Sequence, residues 1–240
     1  KFFTSHGIPF ILVVPPDKQS IYTEMMPEDF SRLGPKTRLD QLIERLRETH
    51  SPVQVIDLRP VLLEAKKDRL IYYKTDTHWN DYGAFAAYPV ILDAIQRVLP
   101  GRKLVPQPLS DFIPHTTRKS GDLAHYMDLY YEYVEDWPEL ERRVPFPRIS
   151  SKENPYLVVV THGPDPAAPR LFMYHDSFTI SLGQFLGPHF STATWQWTNA
   201  LDGQEALNAR PDVVVDEFLE RLLYAPLPPD SEDIRDQKLP

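Results

Sequence analysis

The stretch Pro9-Phe-Ile-Leu-Val-Val14 decides the fold. It is an unbroken apolar run of strand length. A strand with one face in water alternates apolar and polar residues, so an unbroken run suits a strand covered on both faces, as in a parallel sheet between helices. Just upstream, residues 1–7 read as the end of a helix closed by Gly7. A domain seldom begins that way, so a further N-terminal segment carrying a signal or an anchor is expected. Downstream, Pro15, Pro16, Pro27 and Pro35 predict a loop over 15–36. Leu39, Leu42, Ile43 and Leu46 recur every three or four residues and predict an amphipathic helix over 37–49. Val53-Gln-Val-Ile-Asp57 reads as the next strand, and Pro60 suits the first position of a short helix through Lys66. Strand, helix, strand, helix is the rhythm of an α/β sheet.

The rest of the chain extends that pattern. Asn80 is an expected N-cap for a helix from Asp81 to about Leu99, kinked at Pro89. Residues 100–155 read as an irregular insertion wrapped over the sheet. Strands are expected at 155–160, 170–174, 191–195 and 212–215. Helices are expected at 178–190, broken near Gly187, and at 217–223. The tail 225–240 reads as extended or disordered. The expectation is one domain over 1–224.

Composition excludes several classes. The 240 residues carry 26 Lys and Arg against 34 Asp and Glu, a net charge of −8 that disfavours a binder of nucleic-acid phosphates. The absence of cysteine removes disulfides, thiolate metal sites and cysteine nucleophiles. No apolar stretch approaches the roughly 20 residues that span a bilayer.

Two clusters carry chemistry. In Asp76-Thr-His-Trp-Asn80, residues two apart in an extended segment point the same way. Asp76 can then accept the Nδ1 proton of His78 and leave Nε2 as a base. A polar turn whose Asp76 and Asn80 cap backbone donors explains the same residues. In Phe172-Met-Tyr-His-Asp-Ser-Phe178, an apolar strand ends on Asp-Ser before a helix. Ser177 would lie at the carboxyl end of a parallel strand, where α/β sheets bind ligands, and at a helix N-terminus that favours an oxyanion. Asp176 or Ser177 acting only as an N-cap is the alternative.

Taken together, the chain resembles the SGNH-hydrolase-like proteins of the alginate O-acetyltransferase family. The likeness rests on Val13-Val-Pro-Pro-Asp-Lys-Gln-Ser-Ile-Tyr22, Asp76-Thr-His-Trp79 with Gly83, Gly121-Asp-Leu-Ala124, Tyr174-His-Asp-Ser-Phe178 and Pro211-Asp-Val-Val-Val-Asp-Glu-Phe-Leu-Glu-Arg221. It implies an α/β fold with a mostly parallel central sheet, flanking helices and an irregular insertion. It further implies Ser177 as nucleophile, His78 as general base and acid, and Asp76 as orienter. The implied activity is transfer of acetyl through an acetyl-serine to hydroxyls of an extracytoplasmic, periplasmic polysaccharide. A membrane acyltransferase partner is the expected supplier of acetyl. No metal or other cofactor, and no nucleic acid, is expected.

One departure is His175, where the family's turn commonly reads Gly-Asp-Ser, and a side chain there is expected either to narrow the site or add a proton donor toward substrate, or to reduce activity. The Ser177 N–H, Asn80, Asn199 and Gly163 are candidate oxyanion donors. Lys18 and Trp79 are candidate substrate contacts, as are Trp195, Trp197, Tyr72 and Tyr73, although a solvated lysine and core aromatics are the plainer explanations. Asp122 reads as a turn former or a cap. Water as acceptor would make the same site a carbohydrate acetylesterase. A metal hydrolase built on Asp76, His78, His175 and Asp176 is a rival reading, and a polysaccharide-binding module without catalysis is another.

Overall fold

The computed structural model describes residues 2–30, 34–145, 148–150 and 158–224, with backbone alone over 148–150. The strands are β1 (Phe10–Val14), β2 (Gln54–Asp57), β3 (Phe112–Lys119), β4 (Glu135–Arg142), β5 (Arg148–Ser150), β6 (Val158–Thr161), β7 (Arg170–His175), β8 (Thr192–Trp197) and β9 (Val213–Glu217). The helices are α1 (Phe2–Ser5), α2 (Lys18–Ile21), α3 (Arg38–Glu48), α4 (Arg59–Ala65), α5 (Asp81–Val98), α6 (Asp122–Tyr126), α7 (Thr179–Leu186) and α8 (Gly203–Asn208).

Seven strands form one sheet in the order β2-β1-β9-β7-β8-β6-β5. The pairs from β2 through β8 are parallel, while β6 and β5 add antiparallel strands at one edge. The sheet is thus mostly parallel, with flanking helices. β1 explains its own sequence. Ile11 and Val13 enter the main core with Leu92 and Ile95 of α5, whereas Leu12 and Val14 pack on the other face with Leu39 of α3. Both faces are covered, so no polar alternation is needed.

Local signals set several boundaries. Thr37 and Asp40 form a reciprocal capping box that starts α3. The Asn80 side chain accepts from the N–H groups of Tyr82 and Gly83 and starts α5, which stays helical past Pro89.

Several expectations are corrected. The segment 15–36 holds α2 and a 3-10 turn at Thr23–Met25. The insertion 100–155 is not irregular throughout: β3 and β4 pair antiparallel, α6 lies between them, and β5 joins the main sheet. Its sequence hides the hairpin, because Pro114 and Pro138 stand within strands rich in charge. A two-stranded ribbon outside the main sheet tolerates such prolines. The hairpin is fastened by Phe112, whose ring lies 5.0 Å from Phe185 and 5.6 Å from Phe85. Glu217 closes β9, and the expected helix at 217–223 is a 3-10 turn over Glu220–Tyr224. α8 was not foreseen. The tail 225–240 and residues 155–157 of the expected strand lie outside the described residues.

Candidate active site

Ser177 follows the carboxyl end of β7, at the edge where β9 separates β7 from β1. Its turn is held from below by acids. Asp176 accepts from the N–H of Phe178 (2.9 Å) and from that of Leu219 (2.8 Å). Glu217 accepts from the Asp176 N–H (3.2 Å) and from the Thr179 hydroxyl (2.7 Å). Burial, aided by the nearby Asp176 charge, pushes the Glu217 carboxyl well above the usual carboxylate range.

His78 approaches from a loop ahead of α5. Asp76 makes a local turn: one carboxylate oxygen accepts from the His78 N–H at 2.8 Å and lies 2.6 Å from its Nδ1. The other accepts from the Asp122 N–H at 2.9 Å. Burial works against the Asp76 charge, but the bonds from His78 and Asp122 outweigh it, so its pKa falls below the ordinary value. An ionised carboxylate only accepts, which puts the ring proton on Nδ1. The bare Nε2 then faces Ser177 Oγ at 2.6 Å, across 99 positions of chain.

The loop under His78 is fixed on several sides. The ammonium of Lys18 donates to the carbonyls of Lys74 (2.8 Å) and Asp76 (3.0 Å). Burial lowers the Lys18 pKa, while Glu135, Asp76 and Asp122 oppose the shift. Asp122 accepts from the Thr77 N–H at 2.7 Å and lies 3.6 Å from His78 Nδ1. Trp79 Nε1 donates to the Phe178 carbonyl at 2.9 Å and so ties the His78 loop to the Ser177 turn. A cleft of about 430 Å³ opens over the pair. The hairpin supplies its wall through Lys119, Trp137 and Glu139, facing Ile180 and Gln184 of α7. The ring of Trp137 stacks on Tyr73 at 3.6 Å.

The structure therefore brings Ser177, His78 and Asp76 together. Other candidates stand elsewhere. Asn80 is spent on its helix cap, and its amide N–H donates to the Leu70 carbonyl. Asn199 is exposed and does not line the cleft. Gly163 bonds to Phe190, near the amino end of β8, opposite the edge that carries Ser177. Lys18 serves the loop backbone and does not line the cleft. His175 is buried, its Nδ1 is 2.8 Å from the Asp176 carbonyl, and its ring contacts Trp197. It does not line the cleft, so it does not narrow it from the Gly position. Trp79, Tyr72, Tyr73 and Trp195 are core residues, and Trp79 and Tyr73 also touch the cleft. The four-residue metal set does not assemble: among the described residues the group clustered with Asp76 and His78 is Asp122, and its carboxylate already accepts from Thr77. Sequence reasoning missed the second-acid position of Asp122, the Glu217 brace and the hairpin wall. The Gly-Asp-Leu motif was the only available signal for the first.

A serine on a strand-to-helix turn, facing an Asp-x-His loop across a mostly parallel sheet, defines a hydrolase-like α/β class. Residues 1–152 match the family model of the SGNH hydrolase-like domain, acetyltransferase AlgX, and the chain belongs to that family. The match takes in Asp76 and His78 and ends before Ser177. A relative named probable alginate O-acetylase AlgJ, from Pseudomonas putida, is 27% identical over 128 residues, 52% of this chain and 31% of the relative. The chain spans about a third of the length of the curated relatives it matches. The solved O-acetyltransferase domain of Pseudomonas putida AlgJ shares the fold, with a TM-score of 0.64, 22% identity, and 97% of this chain and 83% of that one covered. So does a DHHW family protein from Eubacterium siraeum, with a TM-score of 0.71, 13% identity, and coverage of 90% and 79%.

Proposed function

We propose that this domain transfers acetyl groups to hydroxyls of an extracytoplasmic polysaccharide through an acetyl-serine at Ser177. A serine hydroxyl is a weak nucleophile without an adjacent base. His78 Nε2 takes the Ser177 proton as Oγ bonds to the acetyl carbon of the donor. The donor oxygen or sulfur leaves with that proton. His78 then takes a proton from an acceptor hydroxyl, whose oxygen bonds to the acetyl carbon as the Ser177 ester bond breaks. The proton returns to Ser177. Asp76 holds the tautomer and stabilises the imidazolium between these steps. The Ser177 N–H, at the turn entering α7, is the proposed oxyanion donor. A membrane acyltransferase is the proposed source of acetyl.

The observation that carries this reading is the 2.6 Å approach of His78 Nε2 to Ser177 Oγ, with Asp76 behind the ring. The family name and the names of the relatives support acetyl as the group moved. The test is mass spectrometry after exposure to 4-nitrophenyl acetate. The expected result is a gain of about 42 Da on Ser177, one acetyl replacing a hydrogen, and none in Ser177→Ala. Ester turnover by Ser177→Ala at the wild-type rate would rule the mechanism out.

A further inference from the structure

The segment between β3 and β4 carries a run of aromatic side chains that the site has not absorbed. Tyr126 is 83% exposed and Tyr131 87%, and Tyr130, Tyr133 and Met127 are also exposed. These are costly residues to leave in water unless something covers them. Their position is fixed relative to the cleft. At one end of the segment the N–H of Asp122 donates to Asp76 and that of Leu123 to the Thr75 carbonyl. At the other end Glu135 accepts from the N–H groups of Lys74 and Thr75. Both ends are therefore pinned to the three residues that precede Thr77 and His78. Inside the segment Tyr130 leans on His125 and Tyr131, with ring centroids 4.3 and 5.0 Å apart. Trp137, stacked on Tyr73, carries the aromatic surface into the cleft itself.

The charge around these rings is one-sided. Residues 120–139 hold six carboxylates and neither Lys nor Arg. The two flanking cations each lie beside one of these acids: Lys119, 5.6 Å over the Trp137 ring, is 2.7 Å from Glu139, and Arg118, which donates to the Val134 carbonyl, is 4.0 Å from Asp136. The acids outnumber these two cations, so a polyanionic chain meets net repulsion here, whereas the C–H faces of uncharged pyranose rings can stack on the aromatic side chains.

We propose that the acceptor is an uncharged polysaccharide, and that its chain leaves the cleft over Trp137 and lies across the tyrosines of 126–133. This rests on the acetyl-transfer reading and adds the acceptor class to it.

The test compares acetyl transfer from 4-nitrophenyl acetate to two soluble oligosaccharides, a neutral glucose oligomer and a uronic-acid oligomer, at low salt where screening is weak. Hydrolysis of the ester without acceptor is measured alongside. The neutral oligomer is expected to be used about tenfold or more better than the uronate. The double variant Tyr126→Ala, Tyr131→Ala is expected to raise the KM for the neutral oligomer about tenfold, with kcat for transfer little changed. Equal or better use of the uronate, a preference for a free amino sugar, or an unaltered acceptor KM in the double variant would overturn the proposal. So would a change of oligomeric state in that variant in place of the KM effect, since the tyrosines would then be a protein interface. Ester hydrolysis that depends on Ser177 while neither oligomer accepts acetyl defeats the acceptor class alone. Absence of hydrolysis and of the Ser177 adduct defeats the underlying function instead.

Discussion

Trp79 shows how much one side chain can hold. It is only 1% exposed, and its single polar atom bonds to the carbonyl of Phe178. The bond therefore joins the neighbour of His78 to the neighbour of Ser177. Trp79→Phe keeps most of the packing but removes the hydrogen bond between the two turns, at a cost of about 0.5–1.5 kcal/mol, while the carbonyl keeps its place as the first acceptor of α7. Ester turnover should fall by about tenfold or more, chiefly in kcat, because the reacting groups lose their register. A variant with wild-type kcat would show that the rest of the core sets the geometry. Asp17 tests electrostatics at the same scale. Burial, with Glu220 and Asp176 nearby, raises its pKa to about 6 despite Arg221. The unfolded chain releases that proton near the ordinary aspartate value of 3.8. Between these two values only the unfolded state ionises, so stability falls as pH rises through the window, by about 3 kcal/mol from this group. Asp17→Asn should remove that slope. Urea unfolding at about pH 4 and about pH 7.5 should show the variant gaining on the wild type at the higher pH. Parallel profiles would refute the assignment.

At the scale of the element, the loop after β3 is locked to the loop before α5 by a glycine. A Cβ on Gly121 would overlap Asp76 Cβ and come within 2.6 Å of the Thr75 carbonyl oxygen. Something must move, and Asp76 is what lies in the way. Gly121→Ala is expected to cut ester turnover by about tenfold to a hundredfold. Thr37→Ala is the contrasting case. It breaks the capping box of α3, distant in the fold from the cleft, and should cost about 1 kcal/mol with turnover unchanged. If both variants lost only stability, the Gly121 contact would be mere packing. The two elements also differ in how far they could be read in advance. α3 announces itself through the regular apolar stripe of Leu39, Leu42, Ile43 and Leu46. The β3–β4 hairpin does not, because Glu135-Asp-Trp-Pro-Glu-Leu-Glu-Arg142 has few apolar residues and little alternation. Its stability comes from Phe112 and Leu140, which find their partners on α5 and α7.

For the whole molecule, the site is assembled from both halves of the chain, and it should disappear with the fold. Ester turnover and tryptophan fluorescence are expected to follow one urea transition, since β7, β9 and the His78 loop share one core. Loss of turnover at lower urea would show that the hairpin or the His78 loop opens by itself. The main strands were legible because apolar runs buried on both faces leave a mark on composition that needs no partner to be named. Core packing was the plainer reading of Tyr72, Tyr73 and Trp195 and it holds, but nothing in the sequence marked which other aromatics stay outside. Tyr72, Tyr73 and Trp195 are buried, while Tyr126 and Tyr131 stand in water, and residue type does not report burial. By itself the sequence determined the apolar strand runs, the cap on Asn80 and the Asp76-x-His78 spacing, because each is written within a few residues. Only the tertiary structure decided that β9 lies between β1 and β7, that Asp122 sits beside His78, and that Ser177 faces its ring. Those meetings are fixed by how all the apolar faces are buried at once, and no local pattern carries that information.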